Sequence, residues 1–369
     1  MGTGVLIVQL EAHHLEVVIA LMNTFTMTPN VHYVLNEQFK PHLPSVLVQR
    51  CNIRWVSLPK KRGFQSFLVY LIRLFFIRRY AKRQNVQTLL WATISTATKA
   101  RVISLVLRAY KVSHIIHNGH RFVRASPLLN KFYKNIYLSR SILEHMRDQS
   151  SAADHERQDF FWATNFRASV NLAHYYELDS EKVHIGIAGG VNQKRRNYDS
   201  LIDAAVRCKS KGICDRVRFW ILGACPDWFT TGIRASGVEE CFVTFSAYLS
   251  FDDMFSYVRS MDALALLIDD SVPNYVYYGT SKISGMENLA LGFRIPLLVA
   301  EGVPVERELE ALALRYKQDR LADLLITILE NGNRSPLKEM YRNLPSHDEW
   351  ESEMIKNENR ILTALGVIN

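Results

Sequence analysis

The sequence has no long uninterrupted apolar run. A helix needs about 20 consecutive apolar residues to cross a bilayer, and no segment of the 369-residue chain supplies them. No secretory leader is expected either. MGTGVLIVQLEAHHLEVV opens on an apolar run without a basic start or a small-residue cleavage site, so it reads as a first β-strand. Gly2 has no Ser or Thr at the sixth position, which N-myristoylation requires. Cysteine is sparse: Cys51, Cys208, Cys214, Cys225 and Cys241 form no CxxC pair and no zinc-spaced cluster with histidine. An odd, scattered set of this kind reads as reduced thiols rather than a disulfide framework. Glycine and proline, at 17 and 11, are too few for a collagen-like or low-complexity chain. The expectation is a soluble or peripheral protein of the cytoplasm.

What is present suits two ordinary domains, each with its own core: the chain is 48% hydrophobic and long enough for both. Formal charge is +9. Excess base serves nucleic acid, an anionic membrane or a phosphorylated ligand, and its placement decides between them.

Along the chain, short apolar runs alternate with helical patterns. In the first half GVLIVQL, VHYVLN, NIRWVSL, TLLWAT and SHIIHN read as strands, with helices between them. Residues 148–165 are polar and weakly periodic, and the domain junction falls near their end. A second series follows in KVHIGIAG, VRFWILG, CFVTFSAY, DALALLI and IPLLVA. Strands alternating with helices predict parallel sheets covered on both faces. The fold expected is α/β, two Rossmann-like domains facing a cleft. Residues 1–165 form the first, 166–345 the second, and 346–369 an amphipathic helix that packs back on the first. Ligands of such sheets bind at the carboxyl ends of the strands.

Two stretches in the second half suit an anion. In GGVNQKRRNYDSLIDA a strand feeds a glycine pair, then Asn192, Lys194, Arg195, Arg196 and a helix. Glycines let backbone approach a phosphate, and nearby cations neutralise it. In YGTSKISGMENLALGFRIPLLV a small-residue turn leads into a helix. Thr280 and Ser281 offer hydroxyls, Lys282 a point charge and the helix start its dipole. Glu287, deeper in that helix, can accept hydrogen bonds from a sugar diol. The bland alternatives are a solvated basic turn and a capped helix.

In this order and spacing, IGIAGGVNQKRRNYDSLIDA, FWILG, VTFSAYLSFDDMFSYVRSMDALALLI, GTSKISGMENLALGFRIPLLV and the closing helix resemble the donor-binding domain of GT-B-fold glycosyltransferases. The group is the one around bacterial cell-surface polysaccharide enzymes, and the resemblance runs from Val183 to Val299. It implies that Gly190 follows the first strand of that domain, that Arg196 faces the donor diphosphate and that Glu287 binds the nucleotide ribose. It further implies that Tyr248 approaches the base, and that Gly292 and Pro296 form the turn after the helix. Two positions depart from the pattern. Retaining members of a major branch carry E-x7-E, and Gly279 stands where the first Glu belongs. Val191 occupies the place of the usual first arginine, and Lys282 stands in for its charge.

The acceptor side belongs to the first domain. EAHHLEVV places His13, His14 and Glu16 at the end of the first strand, and HNGHRF places His117 and His120 at the end of another. Histidine and glutamate there are candidate general bases, ranked His117, Glu16, His14. KKRGFQSFLVYLIRLFFIRRYAKR, Lys60 to Arg83, is apolar at its centre and basic at both ends. Two readings remain open: a helix lying among anionic head groups, or an internal helix with exposed basic ends. The resemblance favours membrane contact, because similar enzymes modify lipid-linked sugars. No RNP or helix-turn-helix signature points to nucleic acid. The acidic pairs Asp252-Asp253 and Asp269-Asp270 make no DxD motif, so no essential metal and no cofactor are expected.

The leading reading is an enzyme that moves a sugar from a nucleoside diphosphate to a saccharide hydroxyl, on a lipid-linked acceptor, in cell-surface polysaccharide synthesis at the inner face of the membrane. A GT-B-fold nucleotide-sugar epimerase and a catalytically inactive sugar-nucleotide-binding or membrane-scaffold protein are the alternatives.

Overall fold

The computed structural model describes residues 4–11, 14–57, 64–94, 96–122, 132–150, 152–166, 178–317, 320–330, 337, 339–341, 344 and 346–368. The chain divides into two compact units. The first comprises Met1–Ser169, Ser281–Ile283 and Asp348–Asn369; the second comprises Val170–Thr280 and Ser284–His347.

The first unit is a seven-stranded parallel sheet in the order β3-β2-β1-β4-β5-β6-β7. Its strands are β1 (Gly4–Gln9), β2 (Val31–Asn36), β3 (Asn52–Val56), β4 (Val86–Trp91), β5 (Lys111–Ile116), β6 (Lys134–Tyr137) and β7 (Gln158–Phe160). β1 reads GVLIVQ without alternation because every one of its residues is buried, as in a parallel sheet covered on both faces. The helices α1 (Leu15–Thr24), α2 (Ser45–Arg50), α3 (Phe64–Arg83), α4 (Ala97–Val106) and α5 (Arg140–Asp148) connect the strands. β7 lies inside the segment that the sequence presents as polar and weakly periodic. At three residues it is too short to show a period, and it forms only by pairing with β6.

The second unit repeats the plan. Its parallel sheet has the order β10-β9-β8-β11-β12-β13. Counted from β8, this is the 3-2-1-4-5-6 order of dinucleotide-binding sheets. The strands are β8 (Val183–Ala188), β9 (Val217–Ala224), β10 (Phe242–Phe245), β11 (Ala263–Ala265), β12 (Leu297–Ala300) and β13 (Ala313–Tyr316). Its helices are α6 (Tyr198–Ser210), α7 (Asp227–Ala235), α8 (Phe251–Ser260), α9 (Gly285–Phe293) and α10 (Leu321–Glu330).

The last helix, α11 (His347–Ala364), belongs to the first unit from Asp348 onward. Asn357, almost wholly buried, secures it there. Its Oδ1 accepts the Trp162 N–H at 2.8 Å and its Nδ2 donates to the Trp162 carbonyl at 2.9 Å. The exchange saturates a backbone pair that no strand satisfies, and each such bond contributes about 1 kcal/mol net.

The cysteine reading needs correction. Cys214 and Cys241 form a disulfide, with Cα atoms 5.9 Å apart. Each sits in the short turn just before a strand, β9 or β10, and those strands are parallel neighbours. Parallel pairing brings the two turns to the same edge, a proximity that a spacing of 27 residues does not reveal. Cys51, Cys208 and Cys225 are free. Among the described residues no helix is long and apolar enough to cross a membrane.

Candidate functional site

In the second unit, residues from four segments meet at the carboxyl end of β8. The strand ends at Ala188 and the chain turns at Gly189, whose φ of 100° favours glycine. Gly223, in β9, has no side chain for a related reason: a Cβ there would overlap the Gly189 carbonyl. The Arg196 guanidinium lies beside Gly189, within 3.5 Å of where a Cβ would stand, and the Tyr248 hydroxyl lies equally close to Gly190, at 3.4 Å. Tyr248 is 66% exposed, which leaves its ring open to stacking. Asn192 shapes the loop. Its side chain accepts the Lys194 N–H at 2.9 Å, and its carbonyl accepts the N–H groups of Arg195 and Arg196 at 2.9 and 3.1 Å. Asn197 then caps α6 by accepting the Ser200 N–H at 3.0 Å, and it donates to Asp269 at 2.7 Å.

The start of α9 reaches the same strand end, where Met286 Sδ accepts the Ala188 N–H at 3.2 Å. Ser284 and Glu287 form a capping box. Glu287 Oε2 accepts the Ser284 N–H at 2.7 Å, whereas Oε1 is buried with no hydrogen-bond partner among the described residues. Complete burial pushes the Glu287 carboxyl up to about 8. The Ser284 N–H opposes this, the nearby Glu306 carboxylate adds to it, and the Glu306 backbone N–H opposes it again. The capped-helix reading of Glu287 therefore holds at Oε2.

Gly279 has a φ of 66°, and a Cβ there would overlap the Pro304 carbonyl. The position is closed to every side chain, not only to glutamate. Thr280 spends its hydroxyl on the Val276 and Tyr277 carbonyls, at 3.2 and 3.1 Å.

In the first unit the three candidate bases come together. The His14 ring packs on the His117 ring with centroids 3.8 Å apart, and His14 Nδ1 lies 3.2 Å from Glu16 Oε1. His14 is the N-cap residue of α1 in left-handed conformation, with a φ of 64° and no side-chain capping bond. Asn118 Nδ2 lies 2.6 Å from His117 Nε2. Ser281 and Lys282 count with this unit: the Ser281 carbonyl accepts the Gly119 N–H at 2.7 Å, and Lys282 bridges Asn118 as an antiparallel pair. His13 lies outside the described residues.

Sequence reasoning did not single out Asn118, Gly223 or Asn197 as site residues. Gly223 was visible as the glycine closing FWILG. The other two carried no signal, because their roles depend on neighbours distant in the chain.

Residues 60–63, the basic start of the Lys60–Arg83 segment, lie outside the described residues. In α3, Tyr70, Leu74, Ile77 and Ala81 are buried, while Ile72, Phe75 and Phe76 are 53%, 59% and 58% exposed. Arg78, Arg79 and Lys82 continue the exposed face. Among the described residues, the group of metal-ligand type is Cys214, Glu240 and Cys241. Its sulfurs are bonded to each other, and Glu240 pairs with Lys209 at 2.8 Å.

No family model matches the chain, and no curated protein matches it. Solved structures do. Anabaena HepE, crystallised with UDP and glucose, superposes with a TM-score of 0.67 at 11% identity, covering 99% of this chain and 100% of that one. A UDP-N-acetylglucosamine 2-epimerase superposes with a TM-score of 0.64 at 11% identity, covering 100% and 98%. A glycosyltransferase from Rickettsia africae gives a TM-score of 0.56 at 11% identity, covering 98% and 99%. These likenesses show the fold: two Rossmann-like domains of the GT-B type.

Proposed function

We propose, from the fold shared with these proteins, that this chain is an enzyme acting on a nucleotide sugar, and specifically a glycosyltransferase. The observation that carries the reading is the assembly at the end of β8. A backbone turn at Gly189 and Gly190, the Arg196 guanidinium and an exposed Tyr248 ring meet there, and the start of α9, which carries the buried Glu287 carboxyl, reaches the same strand end. These are the groups that a diphosphate, a base and a ribose diol need. Gly190 and Arg196 then face the diphosphate, Asn192 holds their loop in shape, Tyr248 stacks on the base and Glu287 holds the ribose. Thr280, Ser281 and Lys282, in the turn before α9, are further donor-side candidates. In this reading Arg196 neutralises the leaving group, and transfer calls for neither a metal nor a cofactor.

The acceptor is a saccharide hydroxyl, activated by His117 with Glu16 and His14 beside it. The base takes the hydroxyl proton, the acceptor oxygen bonds to the anomeric carbon, and the bond from that carbon to the diphosphate oxygen breaks. The exposed apolar and basic face of α3 supports a lipid-linked acceptor and a peripheral position on the inner face of the cell membrane, in cell-surface polysaccharide synthesis. A nucleotide-sugar screen by thermal shift tests the reading, since a ligand of the native state raises its melting temperature. If no nucleoside diphosphate sugar stabilises the protein, the reading fails.

The likeness to 2-epimerases favours a second reading, epimerisation of the sugar while it remains on its nucleotide. A new sugar nucleotide formed with no acceptor present would establish it and displace the transferase.

A further inference from the structure

We propose that Asp269 is a positioning residue of the donor site, which acts through Asn197 to hold Arg196 at the glycine turn. In the sequence Asp269-Asp270 is only an acidic pair outside any DxD motif. The fold separates the two: Asp270 is exposed, and Asp269 is 4% exposed. Asp269 lies in the loop after β11, the parallel neighbour of β8, so it stands at the same sheet edge as the glycine turn. Both of its oxygens are occupied. Oδ2 accepts Asn197 Nδ2 at 2.7 Å, and Oδ1 accepts the Ser271 N–H at 3.0 Å together with the Ser271 hydroxyl. All three donors are neutral, and a carboxylate buried among neutral donors is costly. An asparagine would avoid the charge, but an amide has one acceptor oxygen, and its N–H groups would face either Asn197 or Ser271. The position calls for acceptors on both sides.

Asn197 carries the restraint to Arg196. Its N–H donates to the Leu267 carbonyl at 2.8 Å, its Oδ1 accepts the Ser200 N–H at 3.0 Å and its Nδ2 goes to Asp269. Backbone and side chain are both fixed, one residue after Arg196. Arg196 Nη1 in turn donates to the hydroxyl of the wholly buried Tyr198 at 3.4 Å. The guanidinium held in this way is the one beside Gly189. The anchor also keeps a strained backbone. Leu267, 1% exposed, has a φ of 53°, a left-handed conformation uncommon for a side chain of that bulk. Such outliers persist only where their surroundings over-determine them, and they cluster at functional sites. An ordinary capped helix explains the bond from Ser200 to Asn197, but neither the buried carboxylate nor the left-handed leucine.

This role rests on the donor reading of Arg196 and adds the residue that sets it in place. The test uses the full chain with Asp269→Asn, Asn197→Asp and the two substitutions together. The first turns an amide N–H onto a donor, and the second sets two carboxylates against each other. The exchange of both restores one donor facing one acceptor and keeps an oxygen for the Ser200 N–H. Hydrogen exchange is read at residues 196–200, and calorimetry measures inorganic pyrophosphate, UDP and uridine. Each single variant exchanges faster at these amides. Each also loses about tenfold or more in affinity for pyrophosphate and UDP, the loss of a charge-assisted hydrogen bond from Arg196. Uridine binding is unchanged, and the double variant recovers both readings. Wild-type protein that binds pyrophosphate but not UDP, with the same losses and recovery, keeps Asp269 in this role and removes the nucleotide reading. Wild-type protein that binds neither overturns both. Single variants with wild-type exchange and affinity overturn the positioning role. Faster exchange throughout the second unit, with no recovery in the double variant, also overturns it, because Asp269 then serves folding.

Discussion

His14 and His117, from the ends of different strands, stack with ring centroids 3.8 Å apart, and His14 contacts Glu16 at 3.2 Å. Residues in contact act as a unit, so their substitutions are not additive. Replacing His117 with alanine lowers turnover by about 10²–10⁴-fold, the usual contribution of a general base, and leaves donor affinity intact. Steady-state kinetics with parallel calorimetry checks this. Near-normal turnover in His117→Ala moves the role to Glu16 or His14, and activity in all three single variants indicates a route without a base.

His14 also stores backbone strain. Its φ of 64° places a β-carbon in the left-handed region, which costs a non-glycine residue about 1–2 kcal/mol. His14→Gly therefore keeps or raises stability to denaturant while turnover falls. A variant that loses both stability and activity shows instead that the ring holds the fold together.

Gly279→Glu, which writes the missing E-x7-E glutamate into the sequence, gains no activity and destabilises the protein. The new Cβ meets the Pro304 carbonyl, and the backbone already has a positive φ. Gly279→Ala suffers the same collision, so both variants melt well below wild type. A stable Gly279→Glu with higher turnover would refute this account.

Burial raises the Glu287 carboxyl from 4.5 in the unfolded chain to about 8 in the fold. The unfolded chain therefore gives up this proton at lower pH than the native state does. The stability that the protonated form provides is complete below about 4.5 and is lost as pH rises through about 8. Glu287→Gln keeps an oxygen to accept the Ser284 N–H and removes the titration. Its stability advantage over wild type grows across that window in denaturant unfolding at stepped pH. The same variant binds nucleoside diphosphates more weakly, and unchanged affinity would dissociate Glu287 from the ribose. Parallel stability curves would mean that the carboxyl is not raised.

Replacing Phe75 and Phe76 with serine removes two exposed rings from α3 without touching its buried face. Sedimentation with anionic vesicles falls, and the residual binding weakens with salt, since each basic residue near the surface contributes about 1 kcal/mol. Binding that ignores the rings, the lipid charge and the salt would leave this face without a membrane role.

Much of the architecture was legible in the residues themselves. Strands buried on both faces are largely apolar, so GVLIVQ, VHIGIA and LLVA identify themselves, and the helices between them point to parallel pairing. The glycines after β8 and the small-residue turn ahead of Glu287 announced a turn and a helix start, because those conformations favour those residue types. Tertiary structure decided the rest. β7 and β13, three and four residues long, exist only through the neighbours they pair with. The stacking of His14 on His117 and the Cys214–Cys241 bond join residues far apart in sequence, and periodicity carries no information about such pairs. Gly279 makes the same point at a single residue. Sequence showed that a carboxylate was absent there, and only the Pro304 carbonyl, brought against it by the fold, shows that no side chain can stand in that place.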